Sequence, residues 1–229
     1  MIGITFALPS ESSDLVRQMR QVENVDNLLW GKIGQHNVTI VHTGVGARNC
    51  NERLEILLHK ARPEFVLSSG FAGAVGEQLA VGDLILAENF SDPNLLGLAR
   101  EILRERKARA VKLFTSTSII DSISERNEIA RNSGAAAVDM ETGAIVAVCN
   151  AHDMPLLSLR AISDSPGEPF PAPPSVLFDV ERGRTSYGRF FSYILRDPAS
   201  IARLFRFARQ IARARTVLTE AIVALIRAL

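Results

Sequence analysis

Two stretches, Ala137-Val138-Asp139-Met140-Glu141 and Leu159-Arg160-Ala161-Ile162-Ser163-Asp164, decide how this chain is read. Each sets a carboxylate beside an apolar segment. The first reads as a strand end turning into a helix over Thr142 to Ala151. The second reads as the end of a buried strand, Pro155 to Ile162, closed by a polar Ser-Asp pair. Glu141 and Asp164 are therefore expected at the ends of neighbouring strands, where open α/β sheets bind ligands. One acid to hold a polyol and one to protonate a leaving group suits glycosyl chemistry.

Strands and helices alternate outward from these stretches. Ile2 to Leu8 reads as a buried strand, followed by Ser10-Glu11-Ser12-Ser13 with helix-start chemistry. Leu29 to Ile33 and Asn37 to His42 read as paired strands. Thr43-Gly44-Val45-Gly46 is a glycine turn into a helix over Ala47 to Lys60. Phe65 to Ser69 is an apolar strand, with a second glycine turn expected at Gly70-Phe71-Ala72-Gly73. Gly82-Asp83 leads into a strand from Leu84 to Ala87. Pro93 to Lys107 is predicted as a helix, Ala110 to Phe114 as a strand and Ser124 to Asn132 as a short helix. The pattern predicts an α/β sheet with helices on both faces.

Composition narrows the class. The 229 residues are 47% apolar, enough for one well-buried domain over 1–229. Cys50 and Cys149 lie far apart in apolar helical contexts and read as small buried hydrophobes. No Cys/His spacing suggests a metal, and His36, His42, His59 and His152 do not cluster. The start has no signal-peptide pattern and no apolar run reaches membrane-spanning length, so a cytoplasmic protein is the default expectation.

The net charge of +1 hides an asymmetry. From Arg182 onward there are ten arginines against Asp197 and Glu220, a segment of +8 on a body of −7. Residues 165–185 form a Pro-rich loop, with a lid as one reading. Residues 186–229 form a basic helical extension in two pieces broken near Asp197-Pro198. Arg206, Arg209 and Arg213 share one stripe, with Ile201, Leu204, Phe205, Ala208, Ile211, Ile222 and Ile226 expected opposite. Such a helix either packs its apolar side on its own domain, the favoured reading, or lies on an anionic membrane surface. Nucleic acid is disfavoured, since no glycine- or aromatic-interleaved basic patch accompanies the arginines.

Each candidate site has a plain structural reading beside its functional one. Gly44 and Gly46 form either a backbone cradle for an anion or a tight turn. Without a third glycine they do not make a dinucleotide fingerprint. Phe71 stacks on a ligand or belongs to the core. Glu11 is an active-site base or a helix-start acid. Asp164 is a functional carboxylate or an Asx-turn cap.

Taken together, the pieces resemble the superfamily of nucleoside phosphorylases and nucleosidases, which includes purine nucleoside phosphorylases and methylthioadenosine/S-adenosylhomocysteine nucleosidases. The matching segments are Gly3-Ile4-Thr5-Phe6-Ala7 with Glu11, Thr43-Gly44-Val45-Gly46 and Ser69-Gly70-Phe71-Ala72-Gly73. Val81-Gly82-Asp83-Leu84-Ile85, Val138-Asp139-Met140-Glu141 and Arg160-Ala161-Ile162-Ser163-Asp164 complete the set. They run in family order through about residue 165. The resemblance implies a single three-layer domain around a mixed, partly barrel-like sheet, acting as a homo-oligomer on a small-molecule nucleoside without a metal or cofactor. It implies cleavage of the N-glycosidic bond of a purine nucleoside, adenine being the expected base, by water or by phosphate as co-substrate.

Carried over, Asp164 protonates the purine, Glu141 grips the ribose hydroxyls, Met140 packs beneath the sugar and Glu11 orients the attacking water. Phe71, Ala72, Gly73, Asp139, Ser163 and Ile119 complete the expected substrate site. Gly44, Gly46 and Arg48 would take phosphate, although the arginines and serine of the hexameric phosphorylases have no counterpart near Glu11. An aromatic of the nucleosidases is replaced in Ser116-Thr117-Ser118-Ile119. The Val-Asp-Met-Glu segment, Pro-rich loop and Arg-rich tail also resemble the hopanoid-associated phosphorylases, which implies release of adenine from an adenosyl-lipid. The rival class is a non-catalytic nucleoside-binding protein, because fold does not fix function.

Overall fold

A computed structural model describes residues 1–44, 47–168 and 200–229. In chain order it contains β1 (Ile2–Phe6), α1 (Pro9–Gln18), β2 (Arg20–Val25), β3 (Leu28–Ile33), β4 (His36–His42), α2 (Ala47–Ala61) and β5 (Phe65–Ala74). There follow β6 (Leu84–Ala87), α3 (Pro93–Ile102), β7 (Arg109–Val111), β8 (Leu113–Thr115) and α4 (Ile123–Ser133). The last are β9 (Ala137–Asp139), α5 (Thr142–Ala151), β10 (Leu156–Asp164) and α6 (Ser200–Ala228). The expected mixed α/β architecture is present. The ten-stranded sheet runs β2-β3-β4-β1-β5-β10-β6-β7, with β9 joining β5 and β8 joining β9. It branches and stays open rather than closing.

Strand β5 is the organiser. Along one edge it pairs with β10 in parallel from Val66 to Gly73. Along the other it pairs first with β1, up to Ser68, and then with β9 from Gly73. Between those two partners, Ser69 to Ala72 are left without a partner strand on that edge among the described residues. The acid-bearing strands β9 and β10 are therefore not neighbours, as expected from sequence, but flank β5 and meet it at one residue. Gly73 is opposite Val138 on one side and Asp164 on the other.

Gly70-Phe71-Ala72-Gly73 is not a turn either, because β5 continues through it. Gly70 has φ +153°, which suits glycine and lets the strand pass Glu11, whose carboxylate oxygens lie 3.5 and 3.7 Å from where a Cβ would stand. The predicted strand over Ala110 to Phe114 divides at Lys112. β7 pairs with β6, whereas β8 crosses to β9. The predicted helix from Pro93 ends at Ile102, earlier than Lys107.

Helices cover both faces. Leu15 of α1, Ala99 of α3 and the second half of α6 pack on one side in a shared core. Leu54, Leu57 and Leu58 of α2 and Ile145, Val148 and Cys149 of α5 pack on the other. The packing reading of the tail helix holds for its second half, where Ala214, Leu218, Ala221, Ile222, Leu225 and Ile226 are buried. Each fully buried Leu or Ile contributes about 1.5–3 kcal/mol, which fixes this helix to the sheet. Arg215 adds an ion pair to Asp14 at 2.9 Å. Phe205 does not join the packed side as expected; it is 66% exposed. Among the described residues no helix is long and apolar enough to cross a membrane. The expected Pro-rich loop beyond Glu168 and the first piece of the tail helix lie outside the described residues.

Candidate active site

The gap beside Ser69 to Ala72 is filled from α1. Pro9 starts that helix, and Glu11 reaches back over its first turn. Its Oε2 accepts the backbone N–H of Ala7 at 2.9 Å and of Leu8 at 3.1 Å, and its carboxylate also accepts from Phe71. The side chain thus joins the end of β1 to the unpaired stretch of β5. A cavity opens here, lined by Thr5, Ala7, Glu11, Thr43, Ser69, Gly70, Phe71, Glu141, Ile145 and Arg160, with about 230 Å³ free of atoms.

Two carboxylates face this space. Burial pushes Glu11 up to about 6 against the stabilising effects of its backbone donors and Arg160. Burial, then the charges of Asp139 and Glu11, push Glu141 up to about 8. At neutral pH Glu141 therefore carries a proton for much of the time, and it can donate to a diol as well as accept from one. Glu141 stands at the start of α5 without capping that helix through its side chain, so its carboxyl is not committed to a structural cap.

Raised carboxyls make a folded protein bind protons that its unfolded chain releases. Stability is thus expected to be highest near the ordinary glutamate value of 4.5 and to decline as pH rises toward about 8. Glu141→Gln should flatten that decline. Thermal melting across this window checks it, and equal slopes in the two proteins would count against a buried, raised Glu141.

In the cavity wall, Arg160 is a hub that sequence reasoning quoted but gave no role. Its Nε donates to Asp139 Oδ2 at 3.1 Å. Nη1 donates to the Ser68 carbonyl at 2.6 Å and the Leu159 carbonyl at 3.1 Å. Nη2 donates to Ser68 Oγ at 2.8 Å and Thr142 Oγ1 at 2.7 Å. A guanidinium has five N–H donors, and all five are occupied. The available signal was a lone arginine inside an apolar strand, which needs a buried partner. That partner is Asp139, whose carboxylate also receives Thr115 Oγ1 at 3.0 Å and the hydroxyl of Thr142.

Asp164 is 2% exposed and lies at the far end of β10. Its Oδ2 accepts from Arg126 Nη2 in a buried ion pair, and its Oδ1 accepts from Ser163 Oγ at 2.8 Å. Arg126, on α4, is itself clamped by the carbonyls of Ala74 at 2.5 Å and Ile120 at 3.0 Å. Gly73 has no room for a side chain, since a Cβ would stand 2.9 Å from Asp164 Oδ2. Arg126 was not anticipated. Its neighbours Glu125, Asn127 and Glu128 are exposed.

Of the residues expected from sequence, Glu11, Glu141 and Phe71 line the cavity. Asp139 and Ser163 serve Arg160 and Asp164 through hydrogen bonds and do not line it. Ala72 is buried in the core beyond Gly70. Met140 and Ile119 are half-buried outside the cavity wall. Gly44 has φ +73°, but its N–H donates to the Ala7 carbonyl at 3.0 Å, so it is not a free anion donor. Gly46 and the side chain of Arg48 lie outside the described residues. No group of three His, Cys, Asp or Glu among the described residues could hold a metal ion. Cys50 and Cys149 are buried, and burial pushes both thiols up to about 12.

A mixed sheet covered on both faces, with buried acids where its central strands end, defines an α/β protein with a candidate ligand site at the strand ends. The chain belongs to the phosphorylase superfamily, whose family model matches residues 1–92 and 88–196. A 5'-methylthioadenosine/S-adenosylhomocysteine nucleosidase of Staphylococcus epidermidis is 25% identical over 196 residues, covering 72% of this chain and 86% of that protein. The fold is similar to the Neisseria meningitidis nucleosidase of the same name, solved in complex with methylthio-immucillin-A. The TM-score is 0.76 at 16% identity, over 100% of this chain and 99% of that one. Futalosine hydrolase of Helicobacter pylori is similar at a TM-score of 0.73 and 16% identity, over 100% and 97% of the two chains.

Proposed function

We propose that this protein is a nucleosidase that hydrolyses the N-glycosidic bond of a purine nucleoside, with adenine as the base. The observation that carries water over phosphate is the state of Arg160. Among the described residues it is the one arginine lining the cavity, its five donors are occupied, and the two other titratable groups there are the carboxyls of Glu11 and Glu141. Among the described residues a phosphate dianion would meet two carboxyl groups and no free guanidinium donor, whereas a neutral water meets no such penalty. The curated nucleosidase relatives support the same bond and the same base.

In this reading Glu141 holds the ribose hydroxyls and Met140 packs beneath the sugar. Glu11 takes the proton of the attacking water, and Asp164 protonates the leaving base. Asp164 accepts from Arg126 in the free protein. To act as the acid it must take up a proton and Arg126 must release Oδ2. The likeness to the nucleosidases makes 5'-methylthioadenosine the first substrate to try. Adenine release in phosphate-free buffer is expected, with no acceleration when phosphate is added. Strict dependence on phosphate would overturn the hydrolytic reading, and tight nucleoside binding with no release in either buffer would point to a binding protein.

A further inference from the structure

Among the polar groups of the cavity, two hydroxyls stand apart. Thr5 Oγ1 and Ser69 Oγ are buried and have no hydrogen-bond partner. Both residues line the cavity next to Glu11. Thr43 lines it too, but its hydroxyl is within 3.3 Å of the Phe6 carbonyl and 3.2 Å of the Gly44 carbonyl. Buried hydroxyls in native proteins are nearly always paired, and an unpaired one is costly. Ser69 lies where the strand ladder lapses, between the last β1 pairing at Ser68 and the first β9 pairing at Gly73, and Thr5 stands in that last β1 pair, opposite Ser68. The free space leaves about 10 Å³ for the centre of a water-sized sphere. That is about the room one ordered water needs, and such a water takes two to four polar partners.

We propose that Thr5 and Ser69 bind the attacking water and aim it, with Glu11 as its third partner. The inference rests on the hydrolytic reading above and adds the residues that fix the nucleophile. The water oxygen accepts from one of the two hydroxyls, donates one O–H to the other and directs its second O–H at the Glu11 carboxylate, leaving its other lone pair for the sugar carbon. In the step, the water O–H bond and the C–N glycosidic bond break and one C–O bond forms. The glycosidic electron pair leaves with the base, which takes a proton from Asp164. The water's proton passes to Glu11. Positioning of this kind is sensitive, because displacing a reactant by about 1 Å costs on the order of 100-fold.

The test uses the full chain with Thr5→Val, Ser69→Ala and Thr5→Ser. Val matches Thr in shape and removes only the hydroxyl, and Ser restores it. Thr5→Val and Ser69→Ala are each expected to lower kcat about 10- to 100-fold with KM nearly unchanged, while Thr5→Ser stays close to the parent. A crystal structure of the parent should show one water within about 3.2 Å of both hydroxyls. Unchanged kcat in both hydroxyl-deleted variants, equal loss in Thr5→Val and Thr5→Ser, or hydroxyls turned onto backbone carbonyls in a dry cavity would overturn the proposal. Phosphate-dependent release by the parent would instead overturn the reading beneath it, so the two failures are distinguishable.

Discussion

Asp164→Asn is expected to lower turnover about 10²- to 10⁴-fold, the usual contribution of a positioned general acid. That is about 3–5 kcal/mol on the barrier. Asparagine keeps the size of the side chain and one oxygen to accept from Arg126, but it removes the buried countercharge of that guanidinium, so a loss of stability is expected beside the loss in kcat. Following base release by absorbance, alongside a melting curve, separates the two. An undiminished rate would remove Asp164 from the chemistry and leave it as the buried partner of Arg126. The setting makes this informative. A carboxylate held by an arginine and a serine is a well-made acceptor, and only catalysis asks it to become a donor.

The second large effect is structural. Asp139→Ala is expected to destabilise the protein by about 3–5 kcal/mol, because it leaves the Arg160 guanidinium buried without its countercharge. For a chain of this size each kcal/mol moves Tm by about 2–4 °C, so a fall of roughly 6–20 °C is anticipated. Asp139 and Arg160 are both almost fully buried, and the pair ties β10 to the start of α5 through Thr142. A drop below about 1 kcal/mol would show that solvent reaches Arg160 after all. Losing Asp139 also removes a negative charge that raises Glu141, so the surviving folded protein should hold the Glu141 proton less tightly.

Much of the frame was legible because apolar periodicity and glycine-bounded runs mark buried strands directly. The Ala137–Asp139 strand, the Thr142–Ala151 helix and the Leu84–Ala87 strand stand where their patterns put them. β2 left no such mark. Arg20–Val25 is exposed throughout, and a polar strand at the sheet edge has no buried face to impose alternation. Gly70 misled for a different reason. Glycine serves tight turns and close passages of backbone past a side chain alike, and only the position of Glu11 tells which.

The acids themselves were legible, but their relation was not. Which strands flank which is a long-range property, and two strand ends far apart in sequence carry no label saying that β5 runs between them. Arg126 was hidden by its own company of charged residues on α4. Arg160 was visible and unread: one arginine in Leu156–Asp164 announced a buried countercharge, and Asp139 lay in the other quoted stretch.

The shared attachment at Gly73 acts as a gauge. Adjacent strands lie about 4.8 Å apart, so the backbones of β9 and β10 are held about 10 Å from each other across a single strand. The working distance between the acid on one side and the acid on the other is thus set by the width of β5, not by the lengths of two loops. A displacement of β5 carries both acids together and leaves their separation intact. An extra residue inserted beside Gly73 would shift one ladder against the other and change that separation.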